Sequence, residues 1–228
     1  MITVGWLLLT LGNLLITSQN LPDGCPPQGR AGDFSRLSID LCFQDAENER
    51  RELELPSPDH SLRLVVNGED GQVYARGQKV GPSFAITRDE EIIWSPDSRA
   101  LLFTISFGAA GPVLANFGTV QRASTDKDTD VTQTIRVDFA SRHSKDRCHA
   151  EANVGGLAWL DGSRKAVFVA EVPPSPQCEK DGGYFEGYVV SFPDGSILER
   201  HSMKETIRRW RGVLGSRLED DIALLKDR

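Results

Sequence analysis

Trp94-Ser95-Pro96-Asp97-Ser98-Arg99-Ala100-Leu101-Leu102-Phe103-Thr104 decides the fold class. A tryptophan closes one apolar run, a polar stretch containing a proline follows, and a second apolar run begins. Proline presets φ, and Ser and Asp side chains bond their own backbone, so the middle reads as a tight turn between two paired strands. The indole covers the hairpin. The pattern returns at Trp159-Leu160-Asp161-Gly162-Ser163-Arg164-Lys165-Ala166-Val167-Phe168-Val169, at a constant offset of 65 residues, with Trp, Ser, Arg and Phe coinciding and Leu102 meeting Val167. One hairpin used twice is the simplest reading of that coincidence.

Outward from these copies the apolar pattern has period two. Leu37, Ile39, Leu41 and Phe43 alternate with polar residues or cysteine, as do Leu62, Leu64 and Val66, and then Ile135, Val137 and Phe139. Turn signals punctuate the runs at Asn67-Gly68, Asp70-Gly71, Asp161-Gly162, Asp181-Gly182-Gly183 and Pro193-Asp194-Gly195. Many short antiparallel strands follow from this, and no helical crossover is visible among them, which excludes a parallel α/β fold.

The Trp94–Thr104 segment resembles the blade motif of TolB-type β-propellers, and Gly187-Tyr188-Val189-Val190-Ser191-Phe192-Pro193-Asp194-Gly195-Ser196-Ile197 resembles the outer hairpin that follows in such a blade. The second copy departs from the motif, with Leu160-Asp161 in place of Ser-Pro. The resemblance implies an exported, sheet-built protein whose relatives bind other proteins or substrates across propeller faces, and it carries over no catalytic residue. Strand-like sequence from Ser61 to Arg200 accommodates little more than two blades at the 65-residue offset, whereas a closed propeller typically needs about 4–8. The expected fold is therefore mainly β, with antiparallel sheets in propeller-blade-like repeats that do not complete a propeller, plus a C-terminal helical segment.

An open stack leaves strand edges that must be covered, shortened or paired. The C-terminal segment is the expected cover. Ser202 and Glu205 have capping-box spacing, and Met203, Ile207, Trp210 and Leu214 share one helical face. A second Ser-x-x-Glu, Ser216 to Glu219, follows Gly215 and precedes Leu218, Ile222 and Leu225, so two short helices with a break near Gly215 are expected. Arg208, Arg209 and Arg211 read as a solvated face around an inward Trp210 rather than as a basic patch.

Residues 1–20 contain no charge, and Val4–Ile16 is an apolar run too short for a comfortable membrane span, which needs about 20 residues. Residues 1–18 read as a signal peptide, with an uncleaved anchor as the alternative because no Lys or Arg precedes the run. Residues 19–35 follow as a linker or N-terminal segment, 36–201 as the β domain and 202–228 as the helices. The expected location is secreted or periplasmic. Cys25, Cys42, Cys148 and Cys178 are an even set behind an export signal and read as two structural disulfides; three pairings are possible, and locality prefers Cys25 with Cys42 and Cys148 with Cys178. A net charge of -7 argues against nucleic acid or an anionic membrane as partner.

No G-x-S-x-G elbow, H-E-x-x-H pair, phosphate loop or dinucleotide fingerprint occurs, so no catalytic residue, cofactor or metal is expected. Alternating Asp126, Asp128 and Asp130 lack the loop glycine and the closing acid of a calcium site, since Val131 and Val137 stand there. His60, His143, His149 and His201 are scattered, although Ser141–Glu151 is dense in His, Arg, Lys and acid and a Cys148–Cys178 bridge would tie it to Pro173–Pro176. The expected function is binding or structural, with a protein partner or a second copy of the chain. The alternative is an extracytoplasmic hydrolase or carbohydrate-active enzyme with a loop site. An enzyme requires a cleft on which several carboxylates or histidines converge, and a binding module a flat or apolar surface.

Overall fold

The turns that follow Leu55, Trp94 and Trp159 set the architecture. A computed structural model of the chain describes residues 30–41, 52–86, 90–107, 112–120, 131–143, 151–172 and 184–226. The signal-peptide segment, the four cysteines, His149 and Asp126–Asp130 lie outside the described residues. The elements in chain order are β1 (Arg30–Ala31), β2 (Ile39–Asp40), β3 (Leu53–Pro56), β4 (Leu62–Asn67), β5 (Asp70–Ala75), β6 (Gln78–Ala85), β7 (Glu90–Trp94), β8 (Ala100–Ser106) and β9 (Val113–Thr119). Next come α1 (Val131–Arg142), β10 (Asn153–Leu160), β11 (Lys165–Val172), β12 (Tyr184–Ser191), β13 (Ile197–His201), α2 (Met203–Trp210) and α3 (Ser216–Lys226). The strands form three antiparallel sheets, ordered β3-β4-β5-β6, β1-β2-β7-β8-β9 and β10-β11-β12-β13. Three blade-like sheets, where the sequence offset accommodates little more than two, is the first correction. The first hairpin of the additional sheet turns at Pro56-Ser57-Pro58-Asp59-His60, which repeats the Ser-Pro-Asp turn but carries proline where the other two carry tryptophan.

The repeated residues do the same work in each copy. Trp94 Nε1 donates to the Leu55 carbonyl at 3.3 Å and Trp159 Nε1 to the Ile93 carbonyl at 3.2 Å, so each indole ties its sheet to the one before. His60, Ser98 and Ser163 take positive φ values of 57°, 60° and 73°. The Ser98 hydroxyl accepts from the Asp59 amide, and the Ser163 hydroxyl from the Asp97 amide. Successive turns are thereby stitched along one rim. Trp159→Phe keeps most of the ring packing and removes one such tie; urea unfolding is expected to show a loss of about 1–2 kcal/mol.

Packing fills both gaps in the stack. Leu55, Leu64, Val66 and Val73 of the first sheet meet Ile92, Leu101 and Phe103 of the middle one. Leu102 and Phe117 meet Phe168, Tyr188 and Val190 of the last. The remaining face of the last sheet, with Leu157, Val167, Val169 and Phe185, lies under Met203, Ile207, Trp210, Leu214 and Leu218. That face, rather than a strand edge, is what the C-terminal helices cover. α2 starts on the expected capping box between Ser202 and Glu205. The opposite end of the stack is wet: on the outer face of the first sheet Arg63 pairs with Glu54 at 2.8 Å and lies over the Tyr74 ring.

The strand expected through Ile135, Val137 and Phe139 is instead α1. Val131, Ile135 and Phe139 recur every four residues and are buried, while Val137 is 59% exposed. Apolar residues spaced two apart satisfied a strand template by coincidence, and the buried set is helical. This helix covers the free edge of β9. The Thr132 hydroxyl accepts from the Ala115 amide at 2.7 Å and donates to the Ala115 carbonyl at 2.8 Å. Asn153 Oδ1 accepts from the Val113 amide at 3.0 Å.

β1 and β2 extend the middle sheet beyond β7, and the loop between them closes on a buried carboxylate. Glu91 accepts from the amides of Phe34 at 2.9 Å and Ser35 at 3.3 Å, and from the Ser38 hydroxyl at 2.7 Å. Burial pushes its carboxyl up, against the pull of these donors. A Cβ on Gly32 would sit 2.1 Å from Glu91 Oε2, so only glycine lets the loop pass. The loop also reaches the C-terminal segment: Gly215 N donates to the Phe34 carbonyl, Arg217 N to the Asp33 carbonyl, and Arg36 N to the Val213 carbonyl.

Candidate binding surface

Two places combine exposure with chemistry. The first is a cleft of about 240 Å³ between the first and middle sheets, bordered by β6 and β9. Phe84 comes from β6, Phe103 and Ile105 from β8, Asn116 and Gly118 from β9, and Glu90 from the start of β7. The Phe84 and Phe103 rings form a tilted pair with centroids 5.3 Å apart. Gly118 permits this, because a Cβ there would come within 2.5 Å of the Phe103 ring and 2.7 Å of the Phe84 ring. The β6 edge beside the cleft is unsuited to pairing with another strand: Gly81 has a positive φ of 68°, and Pro82 has no amide hydrogen.

The second place is a polar cluster where the end of α1 meets β12 and β13. His143 Nδ1 and the Tyr184 hydroxyl lie 2.7 Å apart, and His143 Nε2 and Glu186 Oε1 3.1 Å apart. Arg142 donates to the Tyr188 hydroxyl at 2.5 Å and also to Glu186. Arg200 binds Asp138 through two bonds of 2.8 and 2.6 Å. These Arg200 bonds hold the Asp138 carboxyl below its ordinary range, with Arg142 adding to the effect. Burial pushes the Tyr188 hydroxyl up, and the Glu186 charge adds to it against Arg142. Tyrosine, histidine and glutamate stand in the order of a proton relay, yet Glu186 is also held by Arg142, and Asp138 is held by Arg200 and Arg142.

Arg142 and His143 belong to the polar Ser141–Glu151 stretch singled out in the sequence, and their partners Tyr184, Glu186 and Tyr188 do not. Those partners lie 41 to 46 residues away on β12, and only the α1 to β12 packing brings them together. His60 sits in the first turn. His201 is buried against Trp210, with ring centroids 5.0 Å apart. Arg208, Arg209 and Arg211 are exposed, and Arg209 lies over Trp210 and pairs with Glu199 at 3.4 Å. Among the described residues no group of three or more His, Cys, Asp or Glu could hold a metal ion. No described helix is long and apolar enough to cross a membrane. No protein-family model matches the chain, and no curated protein matches it.

Proposed function

We propose that the chain is an exported binding module that engages a partner protein through the cleft between its first and middle sheets. The observation that carries this reading is the apolar cleft that half-buried Phe84 and Ile105 form over the buried Phe103 ring, in a stack whose one end is polar and whose other end is roofed by helices. At about 240 Å³ the cleft falls below the ~300–1,000 Å³ of small-molecule sites and matches one or two inserted apolar side chains. Half-buried Asn116 supplies a polar margin that fixes the orientation of the inserted segment. The hydrolase alternative has less support, because in the α1–β12 cluster Glu186 is engaged by His143 and Arg142 and Asp138 by Arg200 and Arg142. Export rests on the apolar leader and the even cysteine set, and the blade-like turns support the likeness to TolB-type propellers.

Site-specific photo-crosslinking tests the reading. A benzophenone side chain at Asn116, inside the cleft, is expected to yield an adduct in an envelope or secretion extract of the source cell. The same group at Tyr74, on the outer face of the first sheet, yields none. Ile105→Ala, which removes apolar contact without setting a second acid opposite Glu90, should weaken the Asn116 adduct while far-UV circular dichroism stays that of the native chain. Adducts that form equally from both positions, or that are undiminished by Ile105→Ala, overturn the cleft as the contact surface. An adduct of twice the chain mass identifies the partner as a second copy.

A further inference from the structure

The geometry points to a tyrosine side chain of the partner protein as the group that enters the cleft, an inference that rests on reading the cleft as a protein-binding surface. Size sets the first limit. An apolar cavity of ~150 Å³ accepts one benzene ring, so the cleft of about 240 Å³ holds a single ring with its methylene and one polar atom. The walls are aromatic where that ring would lie. Phe84 on β6 and Phe103 on β8 have centroids 5.3 Å apart and planes tilted by 42°. Phe103 is 6% exposed and lies beneath, whereas Phe84 is half-buried and still offers ring surface. A third ring set against Phe84 gains edge or offset contacts that an aliphatic chain does not make. Gly118 keeps the space open, since a Cβ there would come within 2.7 Å of the Phe84 ring.

Polar chemistry then selects among aromatic residues. Asn116 on β9 pairs in register with Phe103, so its side chain stands on the face of the middle sheet that looks toward the first. Asn116 Oδ1 accepts from the Phe117 amide at 2.8 Å. That bond fixes the orientation of the side-chain amide and turns its NH2, which only donates, away from the backbone. The entering group must therefore bring an acceptor at the rim of a ring. Phenylalanine has none, and the indole N–H of tryptophan only donates. Imidazole would bury a second polar nitrogen, unbonded, against the Phe84 and Phe103 rings. A phenol meets both conditions: its oxygen accepts from Asn116 while its own hydrogen turns to water at the mouth of the cleft.

Titration of the full chain with N-acetyltyrosinamide and N-acetylphenylalaninamide, followed through the backbone amide resonances of Phe84 and Gly118, reads this preference. The tyrosine compound is expected to bind about three- to tenfold more tightly, the advantage of one hydrogen bond to a half-buried donor, and N-acetylleucinamide more weakly than either. Asn116→Ala removes the donor and should bring the tyrosine-to-phenylalanine ratio to about one. Competition on a chain carrying benzophenone at Thr119, on the rim of the cleft, ties the preference to the partner and does not depend on how that variant folds. Excess N-acetyltyrosinamide should suppress the Thr119 adduct, and the phenylalanine compound should need about three to ten times the concentration to do the same. Equal affinities, or a ratio that survives Asn116→Ala, overturn the tyrosine anchor and leave the cleft as a contact surface standing. An adduct that saturating N-acetyltyrosinamide fails to suppress overturns the partner's use of this site.

Discussion

Glu91→Ala should lower the free energy of unfolding by about 3 kcal/mol, the scale expected when buried donors lose a charged acceptor. The amides of Phe34 and Ser35 then have no acceptor at Glu91, while the Ser38 hydroxyl retains the Ser35 carbonyl at 2.7 Å. The effect should spread beyond the loop. Gly215 and Arg217 donate to the carbonyls of Phe34 and Asp33, so their amides should exchange faster in the variant along with residues 33–38. Glu91→Gln keeps one acceptor oxygen and should cost about half as much. Equilibrium urea unfolding with peptide-level exchange checks both statements. Exchange that accelerates at 33–38 alone would show that the loop does not hold the C-terminal segment.

Thr132→Val is the second large effect. Valine preserves the shape of the side chain and removes the one hydroxyl that serves both the amide and the carbonyl of Ala115. With Thr132 buried, water cannot easily replace those bonds, and a loss of about 2–4 kcal/mol is expected. Among the described residues the free edge of β9 then keeps side-chain partners at Val113, from Asn153 and Arg136, and at the Phe117 amide, from Asn116. Thr132→Ser, which restores the hydroxyl, should recover most of the stability. Light scattering during partial unfolding should rise for the valine variant and not for the serine one, because an uncovered strand edge recruits other chains. Equal aggregation of the two would assign the effect to packing of α1 instead.

Local chemistry made much of this architecture legible in the sequence. In the Ser95–Arg99 turn the Ser95 hydroxyl accepts from the Arg99 and Ala100 amides, in the Asp161–Arg164 turn the Arg164 guanidinium donates to the Asp161 carbonyl, and the Ser202–Glu205 capping box is likewise a contact between near neighbours. The strand through Leu62, Leu64 and Val66 and the turn at Asn67-Gly68 were legible, but their place in a third copy of the hairpin was hidden because Pro56 stands where the other two carry tryptophan, leaving Ser57, Pro58 and Asp59 to mark the repeat. α1 was hidden because Ile135, Val137 and Phe139 suit a strand as long as Val137 counts as buried, and its exposure is a tertiary fact. The candidate surface was less legible still. Phe84 and Phe103 meet across two sheets, and His143 finds Tyr184 only when α1 crosses to β12. No spacing rule connects residues whose meeting depends on how whole layers pack.

The unlike ends of the stack limit how the chain can change its length. Glu54, Arg63 and Tyr74 give the described outer face of the first sheet an ion pair and a cation–ring contact in place of an apolar bed, and α2 and α3 already occupy the last. A duplicated unit could therefore be accommodated only as an internal insertion, between indoles that hand a hydrogen bond from one layer to the next, and not as an appended tail.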